Sequence, residues 1–214
     1  MTLRPTARSK QSGTRPAFNT ALHETEAREA IVAYSRALWE RRLVTGTSGN
    51  VSVRLEDGDI LATPAARSLR NLSAAEIVRT DARGVPRDPK QQATSEFPLH
   101  AAAYAARTDA RALIHTHPTF CVVWSTFGSV FPRDTVGARE TLGDVAWTAY
   151  RPPGSEDLAR LAAEHFSKGI DTVLMERHGI SAIGPNLECA FVLTDLAEEA
   201  ARIAYFARTN RVEF

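Results

Sequence analysis

Two histidines, His115 and His117, stand one residue apart at the end of an apolar run that begins at Ala112. Such a run is typical of a buried β-strand, in which residues two positions apart project from the same face. Both imidazoles can therefore reach one point, as the ligands of a metal ion must. Burying two imidazoles on an apolar strand without a metal or an acidic partner costs free energy. Two ordinary, partly buried histidines are the alternative.

Two further residues have side chains suited to chemistry. His178 follows an apolar run at 172–175 and precedes Gly179, a residue that lets the backbone turn sharply and expose the ring. Glu96 stands at the expected start of a helix, where the helix dipole and free N–H groups stabilise an acid. Considered singly, a strand-end histidine and a capping glutamate are more often structural than functional.

A glycine-containing segment, Gly46-Thr47-Ser48-Gly49-Asn50, joins the first predicted helix to the first predicted strand. Its N–H groups could bind an anion, as could those near Thr94 and Ser95 at a helix N-terminus. The order of helix, glycines and strand is the reverse of a P-loop or a dinucleotide fingerprint. We therefore do not expect a Rossmann-type nucleotide site.

Hydrophobic periodicity places these residues on alternating helices and strands. A helical stripe runs from Leu22 to Leu43, and an Asp-Gly turn at 57–58 joins two short strands. Because that hairpin requires antiparallel neighbours, we predict a single three-layer α/β/α domain with a mixed sheet. The other predicted elements are strand segments at Ile77–Val78, Ala112–His117, Thr172–Met175 and Ile180–Ile183, and helices near Ser95–Arg107, Ser155–Ser167 and Asn186–Arg208.

Composition narrows the class of protein. The chain has 214 residues, of which 43% are hydrophobic and 24% charged, enough for one globular domain with a full core. Lys and Arg number 26 and Asp and Glu 25, so the formal charge of +1 predicts no nucleic-acid partner and no anionic membrane. No apolar run approaches the ~20 residues of a spanning helix. Two cysteines, Cys121 and Cys189, are not a disulfide scaffold, so we expect a cytoplasmic protein.

Four short motifs occur in one order along the chain and together resemble the class II aldolase/adducin family. They are Gly46-Thr47-Ser48-Gly49-Asn50-Val51-Ser52, Thr94-Ser95-Glu96 with His100, His115-Thr116-His117, and Arg177-His178-Gly179. The resemblance runs from about residue 22 to residue 208, nearly the whole chain. It implies the fold of that family, in which the mixed sheet is largely antiparallel.

The resemblance also implies a divalent metal, Zn²⁺ first and Mn²⁺, Co²⁺ or Fe²⁺ as alternatives, bound by His115, His117 and His178. It assigns Glu96 as a carboxylate that leaves the metal when substrate arrives and then acts as acid and base. Three neutral imidazoles leave one open position on a tetrahedral metal, as a catalytic zinc requires. A hydroxy-ketone bound there would have its carbonyl polarised, so that breaking a neighbouring C–C bond yields a metal-stabilised enediolate. His100 is expected to support its neighbours rather than bind the metal.

A phosphate pocket is implied as well. It maps onto Thr47, Gly49, Asn50, Thr94 and Ser95. After a Thr-Pro pair the family has Thr-Gly, whereas this chain has Ala65-Ala66, which removes one hydroxyl and one flexible glycine. Arg67 or Arg70 would then supply a replacement contact for an anion.

The predicted function is that of a metal-dependent lyase that cleaves a C–C bond of a small hydroxy-keto substrate, with or without a phosphate, by a retro-aldol reaction. The family's sugar-phosphate aldolases use a tyrosine from a neighbouring subunit, but the matching position lies near Thr135, and no tyrosine occurs between Tyr104 and Tyr150. A decarboxylase of a 3-oxo acid needs no such tyrosine and is the first alternative. A non-catalytic, adducin-like assembly protein is the second.

Domain organisation and partners complete the expectations. Residues 1–19 contain four basic residues and no acidic one, with two prolines and no apolar stretch. We predict a disordered basic tail at 1–19 and a catalytic domain at 20–214. The resemblance implies a homotetramer with its active site at the subunit interface, acting on a small molecule.

Overall fold

The described residues form seven β-strands and five α-helices. In the computed structural model, residues 23–128 and 130–210 are described, so the predicted tail at 1–19 lies outside the described residues. The strands are β1 (Asn50–Arg54), β2 (Ile60–Ala62), β3 (Val78–Thr80), β4 (Ala112–Thr116), β5 (Val145–Thr148), β6 (Thr172–Met175) and β7 (Gly179–Gly184). The helices are α1 (Glu24–Glu40), α2 (Phe97–Ala106), α3 (Thr119–Ser125), α4 (Glu156–Phe166) and α5 (Leu187–Thr209).

The strands form one sheet in the order β3-β2-β1-β4-β7-β6-β5. Every neighbouring pair is antiparallel except β5 and β6, which are parallel. The mixed, largely antiparallel sheet is therefore confirmed. The sequence patterns do not predict β5 or the π-helix at Ala138–Leu142 that precedes it, because both are too short to show a clear period.

Local chemistry explains where the helices begin. Asn186 caps α5 by accepting a hydrogen bond from the N–H of Cys189, and the Ser155 hydroxyl caps α4 in the same way. In α2, Pro98 falls in the first turn, where its missing N–H has no helical partner to lose. None of the helices in the described part of the chain combines the length and the apolar composition of a membrane span.

The alternation of side chains gives the sheet two covered faces. On one face, α2 and α4 pack against Leu113 and Val173. On the other face, α1 covers Ile114, while α3 and α5 cover Leu174 and Ile180. The structure therefore has three layers, as the sequence predicts.

Strand pairing brings distant polar residues together at one place on the sheet. Asn50 of β1 stands opposite His115 of β4, and on the other side of β4 the same histidine stands opposite Ser181 of β7. Because side chains alternate, His115 shares its face with Leu113 and points toward the layer that contains α2. The chemistry-bearing end of β4 therefore meets the start of α2.

Candidate metal centre and active site

Four side chains converge at the end of β4. Glu96, His115, His117 and His178 each bring one ligand atom within 4.8 Å of the others. The two oxygens of Glu96 lie 3.0 Å from Nε2 of His115 and 3.0 Å from Nε2 of His178. The Nε2 atoms of His115 and His117 are 2.9 Å apart, and the centroids of the three rings lie 4.8 Å from one another. The three histidines, predicted from two separate motifs, thus surround one point.

A tight turn between β6 and β7 places His178. The positive φ of this turn, 55°, belongs to Arg177, and not to Gly179, which is the residue expected to form the turn. Gly179 is needed for a different reason. A Cβ at this position would lie 2.2 Å from the carbonyl oxygen of Thr116 and 2.8 Å from Cδ2 of His117. Only glycine lets the start of β7 approach the end of β4 this closely.

A second glycine allows the loop before β1 to pass the cluster. Gly49 has φ +80°, and a Cβ there would lie 2.6 Å from a methyl of Val44 and 3.0 Å from the carbonyl oxygen of His115. The next residue, Asn50, can then direct its amide nitrogen to Oε2 of Glu96 at 3.0 Å. Glu96 itself is the N-cap residue of α2, and its N–H donates to the hydroxyl of Thr94.

Hydrogen bonds and burial set the charge of the cluster. Nδ1 of His115 lies 3.1 Å from the carbonyl oxygen of Ile180, which can only accept, so this nitrogen carries a proton and Nε2 is the ring atom that faces the cluster. Burial, with help from the neighbouring imidazoles, lowers the pKa of His117 to about 3. Burial raises the pKa of Glu96, but His115 and His178 together lower it well below its usual range. The site thus combines imidazole lone pairs with a carboxylate.

Several buried polar atoms of the cluster lack a hydrogen bond within the described residues. These atoms are both ring nitrogens of His178 and Oε1 of Glu96. A buried polar group without a partner costs about 1–3 kcal/mol, and native proteins retain such groups where an ion or ligand binds. A divalent cation would compensate these atoms, and three imidazoles with one carboxylate suit Zn²⁺, Mn²⁺, Co²⁺ or Fe²⁺. The residues present therefore fit the predicted metal.

A cleft of about 230 Å³ opens beside the cluster. All five residues predicted for an anion pocket line it, together with Glu96, His117 and His178; the five are Thr47, Gly49, Asn50, Thr94 and Ser95. Ser48, Pro64, Ala66 and Pro153 line it as well. Pro153 lies far along the chain from the other wall residues and carries no reactive group, so no sequence pattern points to it. Among the described lining residues there is no Lys or Arg, and the cleft is small.

Comparison with known proteins places this arrangement in a family. The family model described as Class II Aldolase and Adducin N-terminal domain matches residues 29–205. The chain belongs to the class II aldolase and adducin family. It is 31% identical over 171 residues to the L-fuculose phosphate aldolase of Methanococcus maripaludis, covering 79% of this chain and 91% of that protein. It is 26% identical over 202 residues to the 3-oxo-tetronate 4-phosphate decarboxylase of Pectobacterium atrosepticum, covering 89% of each.

The fold agrees with solved class II aldolases. The structure of L-fuculose-1-phosphate aldolase from Thermus thermophilus superposes with a TM-score of 0.76 at 27% identity, covering 86% of this chain and 96% of that chain. Family and relatives together make the chain a carbon–carbon lyase of the class II aldolase type.

Within this class II aldolase, the cleft wall differs from the predicted anion pocket at one side. Ala66 lines the cleft with a left-handed backbone, φ +54°, which the family's glycine would adopt without strain. The two arginines predicted as replacement contacts are engaged elsewhere. Arg67 pairs with Glu76 at 2.5 Å, and the guanidinium of Arg70 lies 4.4 Å from the ring centroid of Trp39. That part of the prediction is wrong, because neither arginine lines the cleft and each contacts another side chain.

Proposed function

We propose that this chain is a divalent-metal-dependent lyase that cleaves a C–C bond of a small hydroxy-keto compound by a retro-aldol reaction. The convergence of three imidazoles and Glu96 on one point, with buried atoms that make no hydrogen bond among the described residues, carries this proposal. His115, His117 and His178 would hold the metal. Zn²⁺ is the ion we propose first, and Mn²⁺, Co²⁺ and Fe²⁺ suit the same donors.

The chemistry divides between the metal and one carboxylate. A divalent cation bound by the three histidines would polarise the substrate carbonyl, which stabilises negative charge on the adjacent carbon. Glu96 accepts the proton of the hydroxyl on the far side of the scissile bond. That hydroxyl oxygen becomes a carbonyl oxygen as the electron pair of the C–C bond passes to the other fragment. Glu96 then returns the proton to the carbon that received the pair, so no further reactant is needed.

The cleft residues bind the remainder of the substrate. Main-chain N–H groups near Gly49 and the hydroxyls of Thr47, Thr94 and Ser95 would contact a phosphate or the hydroxyls of a sugar. The relatives named above act on phosphorylated sugars and sugar acids, and a volume of about 230 Å³ suits a substrate of that size. A small sugar phosphate is therefore the substrate class we propose.

Decarboxylation of a 3-oxo acid is the second candidate. No tyrosine lines the cleft among the described residues, so one subunit offers no phenol to accept the hydroxyl proton as an aldehyde leaves. In decarboxylation the bond to the carboxylate carbon breaks, CO₂ leaves, and Glu96 passes a proton taken up from solvent to the carbon that keeps the electron pair. This reaction needs the metal centre and Glu96 alone.

We further propose a homotetramer in the cytoplasm, with the active site near a subunit interface and residues 20–214 as the catalytic unit. Exposed apolar side chains concentrate in one segment: Phe127 is 62% exposed, Val130 79% and Val136 78%. A patch of this kind favours contact with a second protein surface. Both cysteines are thiols, which suits a reducing compartment. Light scattering at micromolar concentration tests the assembly, and a monomer would contradict it.

The deciding experiment is a screen of Zn²⁺-loaded protein against pools of sugar phosphates and 3-oxo acids, with aldehyde and CO₂ measured separately. We expect about one metal ion per chain and release of an aldehyde. Release of CO₂ without an aldehyde would favour the decarboxylase. Less than ~0.2 metal ions per chain after refolding with Zn²⁺, Mn²⁺ or Fe²⁺ would leave the adducin-like assembly role.

Three variants separate the roles of the side chains. His117→Ala is expected to lose metal and turnover together, because it removes a ligand. Glu96→Gln should keep the metal and lose turnover, because an amide cannot carry the proton. His165→Ala, on the outer part of α4, is the matched control and should change neither. Loss of metal from Glu96→Gln would show that Glu96 acts mainly as a ligand.

A further inference from the structure

A row of buried polar side chains leads from Glu96 away from the metal centre. The amide nitrogen of Asn50 lies 3.0 Å from Oε2 of Glu96, and its oxygen lies 2.5 Å from Nε2 of His100. Nδ1 of His100 lies 2.6 Å from the hydroxyl of Ser52, which lies 2.8 Å from the hydroxyl of Tyr104. Asn50, His100, Ser52 and Tyr104 are each at most 3% exposed. Five side chains thus form one continuous hydrogen-bonded row.

Two regular elements build this row. Asn50 and Ser52 are two positions apart on β1, so they project from the same face of the strand. Glu96, His100 and Tyr104 are spaced four residues apart, so they share one side of α2 and its N-cap. The strand face and the helix side pack against each other, and their polar residues interleave.

The direction of every hydrogen bond in the row is fixed by its end at Glu96. A carboxylate can only accept, so Asn50 must present its NH₂ group to Glu96 and its oxygen to His100. Nε2 of His100 must therefore carry a proton. Burial lowers the pKa of His100 to about 3, so the ring is neutral and Nδ1 is an acceptor for the hydroxyl of Ser52. Tyr104 then donates to Ser52, to its hydroxyl and its carbonyl oxygen.

The opposite orientation of these hydrogen bonds is unfavourable. If His100 carried its proton on Nδ1, Nε2 would accept from the NH₂ group of Asn50. The amide oxygen of Asn50 would then face the carboxylate of Glu96, and two acceptors at 3.0 Å repel each other. A lone asparagine could turn its amide over at little cost, whereas the row gives it one orientation.

We propose that Tyr104, Ser52 and His100 form a positioning chain that fixes the amide of Asn50, and that Asn50 in turn holds the carboxylate of Glu96 at the metal centre. The proposal rests on the catalytic role proposed for Glu96. It assigns a task to three residues that neither touch the substrate nor line the cleft. Their contribution is to keep one oxygen of Glu96 held while the other stays available for its proton-transfer step.

Nuclear magnetic resonance of protein labelled with ¹⁵N-histidine tests the direction of the chain in the wild-type protein, without any variant. The one-bond coupling between hydrogen and nitrogen identifies which ring nitrogen of His100 is protonated. We expect the proton on Nε2 throughout pH 5.5–8, in metal-free and Zn²⁺-loaded protein. A proton on Nδ1, or on both nitrogens, would overturn the proposal.

The visible spectrum of bound Co²⁺ tests whether the chain positions Glu96. His100→Leu and Asn50→Ala should each change that spectrum and weaken Co²⁺ binding about 10–100-fold, as loss of supporting partners does at metal sites. The double variant should show no larger effect, because both changes act through Asn50. His100→Gln, which retains an N–H donor near the former Nε2, should restore most of the wild-type spectrum.

The matched control is Ser35→Ala, which removes another fully buried serine hydroxyl, one without a hydrogen-bond partner in the described structure. It should leave the Co²⁺ spectrum unchanged, whereas Ser52→Ala should shift it. Additive effects in the double variant, or an unchanged spectrum in His100→Leu, would contradict the positioning role. Failure of the wild-type protein to bind Co²⁺ would instead contradict the proposed metal site, and the resonance experiment would still decide the chain's direction.

Discussion

His100 and His178 relate to different oxygens of Glu96: His100 is linked to Oε2 through Asn50, and His178 lies beside Oε1. Both are buried, with 0% and 7% of their surfaces exposed. Both ring nitrogens of His100 are hydrogen-bonded, one to Asn50 and one to Ser52. Neither ring nitrogen of His178 has a hydrogen bond within the described residues, although Nε2 lies 3.0 Å from Glu96. The same side chain, at similar burial, is thus fully satisfied in one case and unsatisfied in the other.

This difference in hydrogen bonding distinguishes a histidine that stabilises the fold, His100, from one whose nitrogens are available to bind a ligand, His178. A satisfied polar network in a low-dielectric interior makes its members rigid, and removing one member leaves the others unpaired. An unsatisfied buried group instead opposes folding until something binds it. Glu96 therefore lies between a rigid hydrogen-bonded chain that orients its carboxylate and a group of imidazoles that a cation would bind.

The largest effect expected from this contrast is on metal binding and turnover. At a Zn²⁺ concentration a hundred times its Kd, the folded wild-type protein should gain about 2.7 kcal/mol of stability, and His178→Ala should gain far less. Turnover of the same variant should fall by more than about a hundredfold, because a ligand of the metal is lost. Thermal unfolding with Zn²⁺ and with EDTA measures the first quantity. An equal rise of Tm in wild-type and variant protein would contradict the assignment of His178.

In metal-free protein we expect the opposite order, in which replacing His100 lowers stability more than replacing His178. In EDTA, His100→Leu should lower the free energy of unfolding by about 2–4 kcal/mol, because it leaves Asn50 and Ser52 with unpaired buried groups. His178→Leu should change it by less than about 1 kcal/mol, because the nitrogens that leucine replaces make no hydrogen bond within the described residues. Urea unfolding of both variants at pH 8 measures the difference. Equal losses would mean that the hydrogen bonds of His100 contribute no more than its packing.

Part of this contrast was accessible from the sequence. The apolar run before His115 and His117 predicts a buried strand, from which both project on one face. The family's motifs predict that His178 and Glu96 join them, and the structure does bring the four together. The expectation that His100 supports its neighbours also agrees with its hydrogen bonds. Short, local patterns were sufficient here because each residue lies at or next to the end of an apolar strand or helix.

The remaining partners depend on strand register, which periodicity does not contain. Ser52 and Tyr104 are ordinary members of a strand and a helix until β1 is placed against α2. Ser181 reaches His115 only because β7 pairs with β4 in one particular register. The strand β5 was not predicted for a related reason: its four residues gain their regularity from the parallel partner β6.

Lowering the pH should reduce the contribution of His100 to the free energy of unfolding by about 2 kcal/mol. The pKa of His100 is about 3 in the folded protein, below the usual value near 6.5 that an unfolded chain retains. Below pH 6.5 the unfolded chain therefore binds a proton here that the folded chain does not, and stability falls as the pH is lowered. Between pH 8 and pH 5, wild-type protein in EDTA should lose roughly 2 kcal/mol more than His100→Gln, which has no ring to protonate. Urea unfolding across this range measures the difference, and parallel curves would show that His100 titrates normally.

The smallest expected effect on stability comes from comparing two buried serines, one with hydrogen bonds and one without them among the described residues. Ser52 and Ser35 are both fully buried, but Ser52 is bonded to His100 and Tyr104, whereas the hydroxyl of Ser35 has no hydrogen bond among the described residues. Ser52→Ala should therefore cost about 1–2 kcal/mol, and Ser35→Ala should be neutral or slightly stabilising. Both variants remove the same atom from an equally buried position, so differences in side-chain volume cancel between them. Equal urea midpoints would mean that burial alone sets the cost, and that the bonds around Ser52 add no net stability to the hydrogen-bonded chain that orients Glu96.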